Sequence, residues 1–120
     1  SVDASCWIAS LNGDCIAVNK KYMDTLQVSL EDCLGYGWVK MVAPGQDYIS
    51  KWNNHIREAS LASFESVFRG RAGKGIKTFR SSVRPWLDHD FSHLGYIGVL
   101  HEIKGEPDFV THLRRATNGG

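Results

Sequence analysis

Three cysteines and five histidines are the side chains of this sequence best suited to metal binding or nucleophilic chemistry. Cys6, Cys15 and Cys33 form no C-x-x-C pair, the spacing that structural zinc sites use. Asn12-Gly13 reads as a two-residue hairpin turn, pairing Leu11 with Asp14 and Ser10 with Cys15. Cys6 then lies opposite Asn19, out of disulfide reach of Cys15. Free thiols in a reducing cytosol are expected. His89, Asp90 and His93 have a spacing that converges on a helix, but their segment reads as a turn and a strand start, so no metal site is expected. His101 lies in the last strand beside Glu102, and a structural role is expected for it. The acids Asp14, Asp24, Glu31, Asp32, Asp47, Asp88 and Asp90 fall at turns and helix starts, leaving Glu65 and Glu102 inside strands. A small α+β isomerase or dehydratase, the rival reading, needs a carboxylate base and a donor in an apolar pocket. No nucleophile and base stand at a recognisable spacing, so no catalytic residue is assigned and the chain is expected not to be an enzyme.

The elements that hold these residues follow from periodicity. Residues 6–11 and 14–18 flank Asn12-Gly13 as a hairpin. In that register Trp7, Ala9 and Leu11 share the core face with Val18 and Ile16, while Cys6, Ile8, Cys15 and Ala17 take the other. Asn19 caps a helix over 20–26, and Ser29 caps a short one ended by Gly35 and Gly37. The longest helix pattern runs over 46–62, with Ile49, Trp52, Ile56 and Ala59 on one face. Strands follow at 64–71, 76–87 and 94–103, joined by Gly73-Lys74-Gly75 and Asp88-His89-Asp90. The last strand is apolar on both faces, with Leu94, Tyr96 and Leu100 on one and Ile97, Val99 and Ile103 on the other. A strand of that kind needs cover on both sides. Helices of the domain supply one cover, and a flanking helix or a partner subunit must supply the second. Pro107 interrupts the chain, and 108–116 has a helical pattern. Residues 1–105 therefore read as one domain, and 106–120 as a tail or the start of a linker helix.

The whole is an α+β chain of 120 residues, enough for one core. A formal net charge of +1 with scattered Lys and Arg gives no field for nucleic acid, and none is expected as partner. No apolar run reaches the ~18 residues that span a bilayer. No export leader is visible, so a cytoplasmic domain without direct membrane contact is expected.

Ordered fragments carry a family likeness. The segment Leu34-Gly35-Tyr36-Gly37-Trp38, continuing to Pro44 and Trp52, resembles the "LG-x-GW…V-x-P…W" stretch of PAS domains. Asn12-Gly13 with Ala17-Val18-Asn19 is similar to the family's "D-G-x-I-x-x-V-N" opening. Arg69 with Gly75, then Pro85 and Gly95 to Gly98, resemble its later hairpin and "P…G-x-x-G" pattern. Two departures stand out. The family's Asp-Ile-Thr ending reads Glu102-Ile103-Lys104, and its "H-P-D-D" reads Ala43-Pro44-Gly45-Gln46.

The resemblance implies a five-stranded antiparallel sheet with helices packed on one face. It implies a sensory or interaction module of a larger protein: a histidine kinase, cyclic-dinucleotide enzyme, chemoreceptor or transcription regulator. A homodimer through the outer sheet face or flanking helices is expected, with Glu102, Ile103 and Lys104 coupling the domain to an output domain in the same polypeptide. Tyr22, Met23, Ile49, Trp52, Ile56, Phe79, Val83 and Leu100 are the candidate lining of a small-ligand pocket, and the same residues would make a filled core. No cofactor is assigned. Haem is not expected, because His55 lies beyond Trp52 on the helix, whereas the family's ligand would fall near Tyr48 to Ser50. Covalent flavin is not expected, because the G-x-N-C-R-F-x-Q motif is missing.

Overall fold

The computed structural model of the protein describes residues 4–104. The tail at 106–120 and the helical pattern at 108–116 lie outside the described residues. The chain opens with a hairpin of β1 (Ser5–Ser10) and β2 (Cys15–Val18). Trp7 pairs with Val18 and Ile8 with Ala17, as the sequence suggests. The turn differs. Gly13 donates to the Ser10 carbonyl at 2.9 Å and Ser10 to the Asp14 carbonyl at 2.9 Å, enclosing three residues with Gly13 at φ 88°. Gly13 closes the turn in a left-handed conformation, which glycine adopts without strain. A bulge between Ile8 and Ala9 then sets Cys15 opposite Ala9. The extra residue reverses the expected facing: Cys15 is buried and Ile16 is exposed.

Asn19 caps α1 (Lys20–Leu26) by accepting from the Tyr22 amide at 2.9 Å, and the same oxygen accepts from Cys6 at 3.0 Å. One side chain thus fixes both the helix start and its position against β1. Ser29 and Asp32 form a capping box on α2 (Leu30–Cys33). A 3-10 helix, Gly37–Met41, leads into α3 (Tyr48–Arg57). This helix is shorter than the pattern over 46–62. Asp47 is its cap, and Ala59 turns left-handed at φ 46°, which ends the helical run. Its buried face is Tyr48 and Trp52, with Ile49 and Ile56 half-buried and Ala59 exposed.

Strands β3 (Phe64–Ala72), β4 (Gly75–Leu87) and β5 (His93–Ile103) complete a sheet of order β2-β1-β5-β4-β3. All pairs are antiparallel, and the helices pack on one face. β5 lies between β1 and β4, so the first and last strands of the domain meet at its centre.

The pairing sorts side chains between the faces. Phe68 pairs with Phe79, Val83 with Gly98, and Gly98 with Trp7, all toward the helices. A Cβ on Gly98 would fall inside the Trp7 indole, so glycine lets that ring lie flat across β5. The interleaved residues Ile8, Ile97, Val99, Arg84 and Val67 point the other way. Leu94, read on the same face as Tyr96 and Leu100, is 39% exposed, because a bulge at Trp86 and Leu87 shifts the register near the strand start.

Candidate functional site

The space between helices and sheet is filled by aromatic rings. Trp52 of α3 meets Trp7 edge-on at 5.4 Å and Tyr96 at 5.3 Å between centroids. Tyr48 lies 4.2 Å from Phe68, which lies 5.8 Å from Phe79. Edge-to-face pairs of this kind add to area burial. Two polar tips inside the cluster are tied down, whereas the Tyr96 hydroxyl is buried without a partner. The Tyr48 hydroxyl donates to Ser81 Oγ at 2.8 Å, and Trp52 Nε1 donates to the Gly13 carbonyl at 3.3 Å. The second bond joins α3 to the β1–β2 turn. Burial pushes the Tyr48 phenol up to about 12, with the Ser81 bond opposing, and pushes the Tyr22 phenol up further. Both are neutral at physiological pH.

A cavity of about 30 Å³ remains among these rings. Of the expected lining, Tyr22, Trp52 and Leu100 border it. Phe79 and Val83 are buried in the adjoining core, and Ile49 and Ile56 pack against it. Met23 is half-buried on α1 and does not border this cavity. The sequence reading missed Trp7, Cys15, Trp38, Met41, Tyr48 and Phe68, which border the cavity as well. Tyr48 precedes the first residue of the Ile49–Trp52–Ile56 series by one position, and the buried stripe of α3 begins there. Cys15 was placed on the wrong face by the missed bulge.

His55 stacks on Trp52 at 6.0 Å and tilts against Phe64 at 5.0 Å and Tyr96 at 5.6 Å. Its Nε2 is buried without a hydrogen-bond partner. Desolvation holds the imidazole below its ordinary range, Glu58 opposing and His93 assisting. His89 reaches Asp90 in an exposed turn, and no cluster of three or more potential metal ligands occurs among the described residues. All three cysteines are unbridged; the Cys15 thiol donates to Ala17 and Cys33 to Ser29, and burial raises both above their ordinary range. At the end of β5, Glu102 accepts from Lys77 of β4 at 3.0 Å, Ile103 pairs with Thr78, and Lys104 is exposed.

A five-stranded antiparallel sheet cupped on one face by short helices, with a cavity beneath α3, is the architecture of a PAS-type sensory fold. The sequence profile described as "PAS fold" matches residues 1–106, and the chain belongs to that family. Solved structures agree on the fold. A PAS domain from Colwellia psychrerythraea is 19% identical, with 85% of this chain and 87% of that one covered at a TM-score of 0.66. The light-state LOV domain of the blue-light photoreceptor Aureochrome1 is 15% identical, covering 98% and 93% at 0.72. A further light-oxygen-voltage domain, from a flavin-analogue study, is 13% identical, covering 98% and 89% at 0.70. No curated protein matches the chain in sequence.

The residues present do not fit the large cofactors found in some members of this fold. Ligand pockets usually span ~300–1,000 Å³, against about 30 Å³ here, a space on the order of two waters. Trp52 covers the ring of His55 where an axial ligand would need an open slot.

Proposed function

We propose that this chain is a non-catalytic sensory and interaction module of a larger signal-transduction protein, and that it self-associates through the outer face of its sheet. The parent would be a histidine kinase, cyclic-dinucleotide enzyme, chemoreceptor or transcription regulator. One observation carries the reading. Cys6 and Ile8 of β1 pair with Val99 and Ile97 of β5 and form an apolar strip on the face away from the helices, bounded along β5 by the exposed His101. Ile97 is 40% exposed. Water-facing apolar side chains on two central strands favour burial against a second surface.

Charge selects the geometry. Arg69, Arg80 and Arg84 lie exposed on the outer face of β3 and β4. A two-fold axis running along the strands at the strip sends the two arginine sets to opposite edges of the dimer. An in-plane axis across the strands would oppose them, at a cost in like-charge repulsion. The coupling residues then sit at the exit of the central strand, with Glu102 held to β4 by Lys77. The non-catalytic reading is supported by the acids: Glu65 is engaged by Ser82, Glu102 by Lys77, and the exposed aspartates lie outside the cavity. No helix among the described residues is long and apolar enough to cross a membrane, which fits a cytoplasmic site of action.

Sedimentation equilibrium tests the association. The chain is expected to dimerise, and Ile97→Glu to be monomeric with an unchanged denaturation midpoint. A wild-type monomer at high concentration, or a dimer indifferent to Ile97→Glu, would overturn the proposal.

A further inference from the structure

The core cavity is not the largest in the molecule. A pocket of about 260 Å³ opens between α1, the 3-10 helix and the β3–β4 hairpin. Leu26, Val28, Trp38 and Met41 give it an apolar floor, and Gln27, Asp32, Lys40 and Arg71 stand at its rim. Its walls are fixed by backbone. Gly73 in the hairpin turn donates to the Leu26 carbonyl at 3.1 Å. Gln27 takes a left-handed conformation at φ 56°, and its side-chain amide lies where a Cβ on Gly73 would be. Gly37 lets the 3-10 helix approach the Asp32 carbonyl more closely than any side chain would allow. The pocket is therefore held open by contacts that do not depend on an occupant.

Its charge is one-sided but small. Lys40 and Arg71 contribute two positive charges and Asp32 one negative. The Asp32 carboxylate accepts from the Ser29 amide at 3.0 Å, which with the Ser29 hydroxyl and the Lys40 charge holds it below the usual carboxylate range. It stays ionised and offsets one cation. Arg71 has no ion-pair partner among the described residues. The buried Cys33 thiol, pushed up to about 11, adds no charge. A monoanion balances this site, whereas a dianion would meet repulsion from Asp32.

We propose that this pocket binds a small organic monoanion, its carboxylate at Arg71 and Lys40 and an apolar body of one or two rings on Trp38 and Met41. Aromatic faces and a thioether suit a flat apolar group. Guanidinium suits a carboxylate. Tyr22, Trp38 and Met41 border both this pocket and the core cavity. An occupant thus touches side chains whose far sides pack against the rings above the sheet. The site stands independently of self-association.

A nuclear magnetic resonance titration of the isotope-labelled chain with 2-naphthoate and with neutral 2-naphthamide tests the assignment. Saturable shifts are expected at the amides of Gln27, Cys33, Lys40 and Gly73 with naphthoate. Arg71→Gln, an exposed substitution that leaves the denaturation midpoint unchanged, is expected to weaken naphthoate about tenfold, the worth of one charge-assisted hydrogen bond. Naphthamide is expected to bind the wild type as weakly as naphthoate binds that variant. Shifts centred on Val99 and Ile97, equal binding of the two compounds, indifference to Arg71→Gln, or no saturable shift at millimolar naphthoate would each overturn the proposal.

Discussion

The two faces of this sheet are built from alternate residues of the same strands, yet they obey different rules. On the inner face Phe68, Phe79, Val83 and Tyr96 are at most 2% exposed. One position away along the chain, Val67 is 51% exposed and Ile97 40%. The inner face is specified by shape, since rings meet at fixed distances and a glycine is required where Trp7 crosses β5. The outer face is specified only by polarity: an apolar strip at the centre and arginines at one side. Shape specification fixes one packing and leaves little room for a guest. Polarity specification leaves a surface free to meet a partner.

The largest difference between the faces should appear on truncation of neighbouring residues. Phe68→Ala removes a ring buried between Tyr48 and Phe79, and it is expected to cost about 3–5 kcal/mol. Val67→Ala, next along β3 on the outer face, is expected to stay within about 0.5 kcal/mol. Urea unfolding at a concentration where the chain is monomeric measures both. Equal losses would mean that the outer face is packed by something within the chain itself.

A smaller effect tests whether shape rules the inner face. Gly98→Ala adds a single methyl group, but it places that group within the Trp7 indole. The ring must leave its edge-on contact with Trp52, and overpacking of this kind costs about 1–3 kcal/mol. Trp7→Leu combined with Gly98→Ala should recover part of the loss in the same unfolding measurement, because the smaller side chain vacates the site. A fully additive double variant would show that the backbone of β5, and not the Trp7 contact, requires glycine.

Much of this was legible in the sequence, and what was missed has definite causes. The α1 bounds follow from Asn19, and α2 from the Ser29–Asp32 capping box, because side chains satisfy helix-end amides locally. Strands β3 to β5 were placed by alternation and by turn residues such as Gly73. The ordered motifs from Asn12-Gly13 to Gly98 located the family. The bulge in β2 was invisible, since Cys15-Ile16-Ala17 carries no residue that demands an extra position. That one residue hid Cys15 among the cavity residues and displayed Ile16 to water. The outer pocket was missed for another reason. Its wall joins Gln27 and Arg71, which are far apart in sequence and meet only because Gly73 bonds to Leu26.

The smallest effect concerns an imidazole set against the inner rings. His55 has an unpartnered Nε2 among Trp52, Phe64 and Tyr96. Desolvation lowers its proton affinity in the fold from an ordinary value of 6.5; of the charged groups facing it, Glu58 on α3 opposes this and His93 on β5 assists. The unfolded chain therefore binds a proton near pH 6.5 that the folded chain refuses. Stability should be level above that pH, fall as the pH drops through 6.5 toward the lowered folded value, and level again beneath it. Urea midpoints between pH 8 and pH 5 read this directly, and His55→Gln should flatten that part of the profile while keeping a polar side chain in place. If the slope survives the substitution, the proton belongs to another group, and the inner face would hold His55 as readily charged as neutral. A flattened profile would mark the inner face as the place where charge is refused, and the outer face as the place where Arg80 and Arg84 carry it in water.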